Sequence, residues 1–366
     1  MILNRLSIIN FKNITQAELD FSPKINCFVG NNGEGKTNIL DAIHFLSFTK
    51  SAINTIDSLN IKHGESAMML SATYDINGSE ENISCGMQVK QKKIFRRNQK
   101  AYKRLSEHIG LLPLVLVSPN DSVLIYGGSE ERRRFMDIVI SQYTPAYMGW
   151  LSHYNKALQQ RNALLKQEDP TPSDDVLDAY EQMMATYGDL IYQARSTYVE
   201  ALTPVFQRYY DRIADHHETV HLEYISHGQR GPLYDTIRNG RYKDLAVGYS
   251  LHGIHKDELE MSLGGYPIRK EASQGQSKTY LISLKLAQLD FLEHTGSNTR
   301  PILLLDDIFD KLDRQRVKNI VDMVATDHFG QIFITDTNRE HMDSILAHHA
   351  DDFRIFNVKD GCISPI

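Results

Sequence analysis

Residues 30–37 read Gly30-Asn31-Asn32-Gly33-Glu34-Gly35-Lys36-Thr37, which is the spacing G-x-x-x-x-G-K-[ST] of a phosphate-binding loop. An apolar run at 24–29 precedes the loop, and residues 38–46 follow it with apolar side chains at helical spacing. A strand, a glycine-rich loop and a helix N-terminus together direct backbone N–H groups and the positive end of a helix dipole at an anion. The segment therefore predicts a nucleoside triphosphate site, with these eight residues and Asn38 as its contacts.

A second motif, Pro301-Ile302-Leu303-Leu304-Leu305-Asp306-Asp307, is an apolar run that ends in two carboxylates. Such a run is typical of a buried parallel strand that brings acids to the carboxyl edge of a sheet. We expect Lys36 to bridge the β- and γ-phosphates, and Thr37 and Asp306 to hold Mg²⁺. Asp307 is placed to polarise the attacking water, so Lys36 and Asp307 are the predicted catalytic residues. Two adjacent acids favour hydrolysis over binding alone.

The third motif is Ser273-Gln274-Gly275-Gln276, which precedes a predicted amphipathic helix, Lys278–Glu293. Taken alone, it could be an ordinary helix cap or a second anion-binding helix start. The order of the three motifs, with a long insertion after the first, resembles the ABC-type ATPase heads. In that class the serine motif of one subunit caps the γ-phosphate that another subunit holds. The resemblance therefore implies ATP as the nucleotide and an ATP-dependent homodimer.

Two further segments fit the same class. Residues 309–313 match the loop that runs along the dimer seam of such heads, with Asp310 and Asp313 as its acids. Thr335 and Asp336 follow an apolar strand where the class keeps a γ-phosphate sensor. Transport ATPases usually carry histidine at that sensor position, and this chain does not.

The predicted fold class is α/β, an ABC-type ATPase head with a mixed sheet, an antiparallel β meander and an inserted compact helical lobe. We divide the chain into a discontinuous ATPase lobe, residues 1–126 and 218–366, and a helical lobe, residues 127–217. Strands are expected at 3–8, 66–74 and 82–91, with a turn at Asn77-Gly78.

The helical lobe spans 91 residues, whereas SMC proteins insert coiled-coil arms of hundreds of residues at this point. A turn is expected at Pro170–Pro172, and Pro204 should kink or end a helix. Apolar and aromatic side chains recur at helical spacing at two sets of positions, which favours core packing over a stacking platform. These are Tyr147, Leu151, Tyr154, Leu158 and Leu165, and Val176, Tyr180, Met183, Tyr187, Ile191, Ala194 and Tyr198.

The composition fits a cytoplasmic protein. The chain has 366 residues, a formal net charge of −6 and three scattered cysteines, an odd number that argues against a disulfide framework. We find no apolar run of about 18 residues and no signal segment, so no membrane association is expected.

Over nearly its whole length, the chain resembles the RecF family of bacterial recombination mediators. The motifs that carry the resemblance are Phe11-Lys12-Asn13, residues 37–43, Ser118-Pro119-Asn120-Asp121, Arg132 to Asp137, Gln160-Arg161-Asn162, Gly253 to Asp257 and Ala272 to Gln276. Lys12 and Lys256 stand where the family tends to have arginine, which weakens any bidentate phosphate contact there. Residues 49–53 lack the arginine that is usual just after the first helix.

The resemblance implies an ATP-dependent DNA-binding protein of recombinational repair and replication restart. Such proteins dimerise on ATP and bind single-strand/double-strand junctions or gaps in DNA. They act with RecR- and RecO-type partners, help to load recombinase and support SOS induction. Their weak, DNA-dependent ATPase activity releases them from DNA.

A basic segment gives a candidate DNA contact despite the negative net charge. Between positions 90 and 104 there are eight basic residues and no acid. They are Lys90, Lys92, Lys93, Arg96, Arg97, Lys100, Lys103 and Arg104. A hairpin turning near Asn98-Gln99 would place several of them on one exposed face. Our hypothesis is that this hairpin contacts the DNA backbone, and the alternative is a hairpin that is merely solvated.

The sequence alone leaves the roles of two segments open, and three other functional classes have to be considered.

Arg132-Arg133-Arg134 could form ion pairs on a helix or an interlobe contact, and His255-Lys256-Asp257 could be structural or sense nucleotide. A transporter ATPase subunit would be expected to lack the helical lobe. A non-catalytic adaptor would be expected to have an impaired acid pair, yet Asp306 and Asp307 are intact. A nuclease-linked relative would need a further acidic metal cluster.

Overall fold

The structure is a computed structural model, and it describes residues 1–167, 173–214, 218–295, 299–310, 312–324, 329–337 and 352–366. The described residues divide into two compact units. Unit 1 comprises Met1–Asp121, Tyr209–His216 and Ser273–Ile366, and unit 2 comprises Ser122–Arg208 and His217–Ala272. Within the described part of the chain, no helix is long and apolar enough to cross a membrane.

A six-stranded sheet in unit 1 carries the phosphate-binding loop. In spatial order its strands are β15 (Cys362–Pro365), β14 (Phe353–Lys359), β3 (Ile25–Val29), β13 (Ile332–Asp336), β12 (Ile302–Asp306) and β8 (Leu114–Val117). All of them except β15 run parallel. Every residue of β12 is buried, as its apolar run predicts for a strand covered on both faces. The carboxyl ends of β3, β13, β12 and β8 therefore meet at one edge of the sheet.

A second, antiparallel sheet in unit 1 is the predicted meander. Its order is β2 (Ile14–Asp20), β1 (Ile2–Phe11), β4 (Ala67–Ile76), β5 (Ser79–Gln88), β6 (Ile94–Arg97) and β7 (Lys100–Ala101). The turn at Asn77-Gly78 is confirmed, with left-handed φ angles of 54° and 83°. Asn98 and Gln99 form the second expected turn, with φ angles of 48° and 68°. The strand predicted at 82–91 ends earlier, since β5 stops at Gln88 and Lys90 has a φ of 64°.

The helices and a small third sheet complete the units. Unit 1 contains α1 (Lys36–Phe48), α9 (Gln274–Thr295) and α10 (Arg314–Val324). Unit 2 contains α2 (Val123–Tyr126), α3 (Ser129–Tyr143), α4 (Tyr147–Leu165), α6 (Leu233–Asn239), α7 (Arg241–Val247) and α8 (Ile268–Glu271). α5 (Asp174–Ala214) belongs to unit 2 up to Arg208 and to unit 1 from Tyr209. The third sheet, in unit 2, has the order β11 (Tyr266–Pro267), β10 (Glu258–Leu263), β9 (Val220–Ile225).

The grouping of residues 218–272 differs from the predicted division, because these residues fall in unit 2. Side chains of α3 contact β10 and its approach: Arg132 is ion-paired with Glu258 at 2.6 Å, and Arg133 donates to the Asp257 carbonyl at 2.7 Å. Two arginines of the Arg132–Arg134 run therefore bond within unit 2. As a division into functional lobes, the boundaries at 127 and 217 stay a prediction.

Two expectations about the helices need correction. Of the two outcomes expected at Pro204, the end of the helix is wrong, because α5 continues to Ala214 and the fully buried Leu202 and Phe206 pack on either side of the proline. The kink stays a prediction. The buried face of α5 also differs from the apolar stripe, because Val176 and Met183 are 43% and 38% exposed. Instead, charged residues occupy buried positions on this helix. The turn predicted at Pro170–Pro172 lies outside the described residues.

The aromatic side chains of this region are mainly core residues. Tyr147, Tyr154 and Tyr198 are all fully buried. Tyr187 is half-buried and stacks on His153, with ring centroids 4.7 Å apart. Core packing, as the sequence favoured, accounts for the described aromatics.

A buried charge network joins α4, α5 and α7 in unit 2. Arg161 has no exposed surface and donates to Glu181 at 2.8 Å and to Asp244 at 2.7 Å, and both carboxylates are also fully buried. Arg161 also donates to the Ser250 hydroxyl at 2.6 Å, which in turn donates to Asn162 at 2.7 Å. Arg161 and Asn162 of the Gln160-Arg161-Asn162 motif are thus accounted for by internal bonding.

His255 and Asp257 are also held inside unit 2. The Nε2 atom of His255 lies 3.1 Å from the Ser250 carbonyl, and its Nδ1 atom lies 2.8 Å from the Tyr154 hydroxyl. Since a carbonyl only accepts, Nε2 donates and Nδ1 accepts. Asp257 accepts from Arg195 at 2.9 Å. These contacts support a structural role for both residues.

Removal of the Arg161 side chain should destabilise the protein strongly. Arg161→Ala leaves buried Asp244 without its arginine and leaves Glu181 with Arg241 alone, and we expect a loss of about 3–5 kcal/mol in the free energy of unfolding. Urea titration of the full chain measures this loss. The control is Arg104→Ala, at an exposed arginine, which should leave the urea midpoint almost unchanged. A loss below about 1 kcal/mol for Arg161→Ala would contradict the role of the network.

His255 should make the stability depend on pH. Burial lowers the pKa of His255 from 6.5 to about 4. Between these two pH values the unfolded chain binds a proton at His255 and the folded chain does not. The contribution of neutral His255 to the free energy of unfolding is therefore complete above pH 6.5 and is lost as the pH falls. From pH 7 to pH 5 we expect His255 to account for a loss of about 2 kcal/mol in the free energy of unfolding. The pH dependence of His255→Asn should be smaller by this amount, whereas exposed His63→Asn should behave as wild type.

Candidate nucleotide-binding site

Two glycines let the phosphate-binding loop pass close to neighbouring segments. A Cβ on Gly30 would lie 2.2 Å from the Val358 carbonyl of β14. Gly35 is the N-cap of α1 with a φ of 112°, and a Cβ there would lie 2.6 Å from the Asn13 side chain. Asn13 also donates to the Glu34 carbonyl at 3.0 Å and accepts from Asn38 at 2.7 Å. The loop is therefore fixed by contacts that leave no room for larger residues at these two positions.

The Lys36 side chain contacts the first residues of this loop. Its ammonium donates to the Gly30 carbonyl at 2.7 Å and to the Asn31 carbonyl at 2.8 Å. Burial lowers the pKa of Lys36, while the charges of Asp307 and Asp306 oppose that shift. Gly35 offers no side chain to cap the helix, so the first amides of α1 point at the same space.

Asp306 connects the loop to two strands of the sheet. Thr37 donates to both of its carboxylate oxygens, at 2.9 and 3.0 Å, and Thr335 donates to one of them at 2.7 Å. The register places Asp306 opposite Thr335, and Thr335 opposite Phe28, at the ends of adjacent parallel strands. Burial raises the pKa of Asp306, and the hydrogen bonds from Thr335 and Thr37 oppose this rise.

The Thr37 and Asp306 oxygens suit a magnesium ion. Mg²⁺ prefers hard oxygen ligands and usually takes one or two from the protein, with water and phosphate as the others. A hydroxyl and a buried carboxylate converge here, and both supply oxygen atoms of the kind that Mg²⁺ prefers. The predicted pair therefore fits the ion.

Asp307 has an unusual backbone conformation. Its φ is 48°, in the left-handed region, and its amide donates to the carbonyl and to the hydroxyl of Thr335 at 3.2 and 3.1 Å. Lys278, near the start of α9, donates to the Asp307 and Asp310 carbonyls. A strained backbone that several bonds hold in place is common at functional sites.

The Ser273–Gln276 motif forms a reciprocal helix cap. Gln276 donates its amide to the Ser273 hydroxyl at 3.2 Å, and its side chain accepts from the Ser273 amide at 2.9 Å. Ser273 and Gln274 are exposed, and Gly275 and Gln276 are half-buried. A Cβ on Gly275 would lie 2.8 Å from the Arg316 guanidinium. The motif therefore presents its serine at the surface.

The seam and sensor residues differ in exposure. Asp310 and Asp313 are exposed, and Asp313 accepts from the Arg316 amide at 2.9 Å. Thr335 and Asp336 are buried at the end of β13, within the sheet edge that carries Asp306. Lys311, in the middle of the seam segment, lies outside the described residues.

The basic segment is less uniform than its sequence suggests. Lys93 is nearly buried: it donates to the Thr49 carbonyl at 2.6 Å, is ion-paired with Asp57 at 2.8 Å and lies 5.2 Å from the centroid of the Phe45 ring. Arg97 makes a bidentate pair with Glu81, at 2.8 and 2.6 Å. Arg96 is half-buried. The remaining basic side chains are exposed: Lys90, Lys92, Lys100, Lys103 and Arg104.

Sequence reasoning missed three residues that shape the site. Asn13 braces the loop, Lys278 holds the backbone of Asp307, and Arg316 lies against Gly275. Lys12, where the family tends to have arginine, is ion-paired with buried Asp41 at 2.5 Å. Only the sequence position of Asn13, within a motif of the family, could have drawn attention to it, because the other contacts join residues far apart in the chain.

Comparison with known proteins agrees with this geometry. The chain matches the family described as RecF/RecN/SMC N terminal domain over residues 2–364. It is 55% identical to the DNA replication and repair protein RecF of Phocaeicola vulgatus over 99% of this chain and 97% of that protein. It is 54% identical to RecF of Bacteroides fragilis over 100% of this chain and 99% of that protein.

Solved structures show the same likeness. The recombination mediator protein RecF-ATPrS in the RecFOR pathway superposes with a TM-score of 0.88 at 28% identity, covering 100% of this chain and 98% of that one. The Smc head domain from Pyrococcus furiosus has a TM-score of 0.59 at 18% identity over 100% of this chain and 96% of that one, which bears on the fold alone. The predicted α/β ABC-type head is confirmed. The chain belongs to the RecF family, within the wider group of RecF, RecN and SMC proteins.

Proposed function

We propose that this chain is an ATP-dependent DNA-binding switch of recombinational repair and replication restart. ATP and Mg²⁺ bring two copies together, and the dimer binds DNA at single-strand/double-strand junctions or gaps. It acts with RecR- and RecO-type proteins in recombinase loading and SOS induction. Slow, DNA-dependent hydrolysis then releases it. The relatives named above, called DNA replication and repair proteins and a recombination mediator in the RecFOR pathway, support this proposal.

The observation that carries the proposal is the convergence of Lys36, Thr37, Asp306 and Asp307 at one sheet edge, while Ser273 lies exposed on the same unit. Four groups gathered within one chain are enough to bind ATP. An exposed serine at the start of a long helix offers a hydroxyl and helix-end amides to the nucleotide of a second copy.

The chemistry follows from the charges. Lys36 and the first amides of α1 hold the phosphates, and Thr37 and Asp306 hold Mg²⁺, which when bound neutralises phosphate charge. Asp307 accepts a hydrogen bond from the attacking water and orients it. Free Cys27, Cys85 and Cys362 agree with a reducing cytoplasm as the site of action.

The switch can be tested by sedimentation velocity with and without ATP and Mg²⁺, followed by gapped duplex DNA. Wild type should dimerise only with ATP. Lys36→Arg should stay monomeric, because the larger guanidinium does not fit the loop. Asp307→Asn should bind ATP without hydrolysis and remain dimeric on DNA. If wild type stays monomeric with ATP and DNA, the chain is a nucleotide-binding adaptor instead.

Two substitutions at Ser273 distinguish a role in helix capping from a contact with the phosphate of a second copy. Both Ser273→Asn and Ser273→Asp keep a good N-cap, so the fold of α9 is preserved. Only Asp places a negative charge where the partner's γ-phosphate would lie. We expect Asp to abolish the ATP-dependent dimer while Asn retains it at least in part. Equal dimerisation of the two variants would show that Ser273 is only a cap.

For DNA binding we propose the exposed part of the basic segment, with Lys90, Lys92 and Lys103 as its test residues. Reversing these three residues to Glu should weaken DNA binding and lower the slope of log K against log salt by about 1 for each phosphate that the protein no longer neutralises. The control reverses exposed Lys50, Lys156 and Lys359, which changes the net charge equally. DNA titration at several salt concentrations measures the slope. Equal effects of the two triples would assign the binding to overall charge.

A further inference from the structure

Helix α7 has its polar and apolar faces inverted. Asp244 is fully buried and the Arg241 side chain is 12% exposed, although helices normally turn such residues to water. On the outside, Tyr242 is 85% exposed, Val247 is 47% exposed and Leu245 is 36% exposed. Burial of charge and exposure of apolar surface both cost free energy, and this short helix does both. We therefore expect a functional reason for the arrangement.

The inward charges fix the helix firmly. Asp244 accepts from Arg161 at 2.7 Å and from the Leu251 amide at 3.0 Å. Arg241 donates to Glu181 at 2.6 Å and to Asp174 at 2.7 Å. The outward side chains therefore lie on a helix whose inward-facing side chains are held by ion pairs and hydrogen bonds.

Beyond the helix the exposed apolar surface continues. Gly248 ends α7 with a φ of 76°, and Tyr249, which follows it, is 45% exposed. The Lys256 ammonium lies 5.3 Å from the centroid of the Tyr249 ring. We call Tyr242, Leu245, Val247 and Tyr249 together the α7 surface.

Positive charge surrounds this surface. Lys243 and Lys256 are exposed, and the side chain of exposed Lys166 passes within 3.7 Å of the Cβ position of Gly248. The acids closest to the helix in these contacts are engaged by arginines, since Asp174 is ion-paired with Arg241. The surface therefore offers apolar anchors inside a cationic rim.

We propose that the α7 surface docks a partner protein that presents an apolar pocket rimmed by carboxylates. Tyrosine anchors with aliphatic neighbours suit the centre of a protein interface, and complementary charges at the rim orient the partner. This inference rests on the proposed function for the choice of probes, because it takes the RecR- and RecO-type proteins as the candidate partners.

Single-stranded DNA suits the same residues less well. A stacking platform needs aromatic faces in succession and a basic groove along the backbone. Here Leu245 and Val247 offer no ring, and the Tyr249 ring already has the Lys256 ammonium near it. A protein pocket uses all four side chains of the surface.

The test measures binding of the purified full chain to purified RecR- and RecO-type proteins by titration calorimetry. Tyr242→Ser with Val247→Ser removes the anchors, and Lys243→Glu with Lys256→Glu reverses the rim. The control, Ile56→Ser with Leu59→Ser, removes two side chains of unit 1 that are 58% and 59% exposed. Binding of ATP, gapped DNA and a fluorescein-labelled oligo(dT) is measured for every variant.

We expect wild type to bind one of the two proteins. The anchor pair should raise Kd at least tenfold, and the rim pair should weaken binding most at low salt. The control pair should bind as wild type, and ATP and gapped DNA should bind equally in all variants. The proposal is overturned if wild type binds neither protein, if both surface variants bind as wild type, or if they lose oligo(dT) affinity instead. Failure of wild type to bind ATP or gapped DNA would contradict the proposed function separately.

Discussion

The buried carboxylate of Asp306 is the constraint on which the nucleotide site depends. It is 4% exposed and is held by hydroxyls from Thr37 and Thr335, so it joins the loop after β3 to the ends of β12 and β13. A buried charge is costly unless it is paired or bonded, and here the bonds reduce the cost without removing it.

The bonds of Asp306 depend on the parallel register of the sheet. Asp306 can accept from Thr335 only because the two residues are paired across β12 and β13. The loop must also approach closely, and Gly30 passes the Val358 carbonyl at a distance that no side chain would allow. Gly30 and Gly35 are thus needed for the fit of the loop to β14 and to Asn13, respectively.

The parts of the fold that could be predicted are those in which local chemistry and burial agree. The phosphate loop, the acidic strand and the Asn77-Gly78 turn are of this kind. Prediction failed where a residue far away in the sequence determines whether a side chain is buried. The buried face of α5 includes Glu181 and Arg195, which hydrophobicity places in water but which ion pairs from other elements hold inside. Residues 218–272 group with unit 2 and are joined to its helices by contacts of the same kind, among them the pairs Arg161–Asp244, Arg195–Asp257 and Arg132–Glu258.

In the basic segment and in α7, too, partners that are distant in the sequence determine which side chains are exposed. Lys93 and Arg97 count as cations in the sequence, yet Asp57 and Glu81 already engage them, so formal charge overstates the positive surface that this segment presents. In α7 the sequence shows an ordinary mixture of apolar and charged residues, and only the bonds of Asp244 to Arg161 reveal which side faces inward. Buried charge serves two different ends in this chain. At Asp306 hydroxyls from the loop and from β13 hold a buried carboxylate at the sheet edge, whereas at Arg161 two buried carboxylates fix the side of α7 that faces inward.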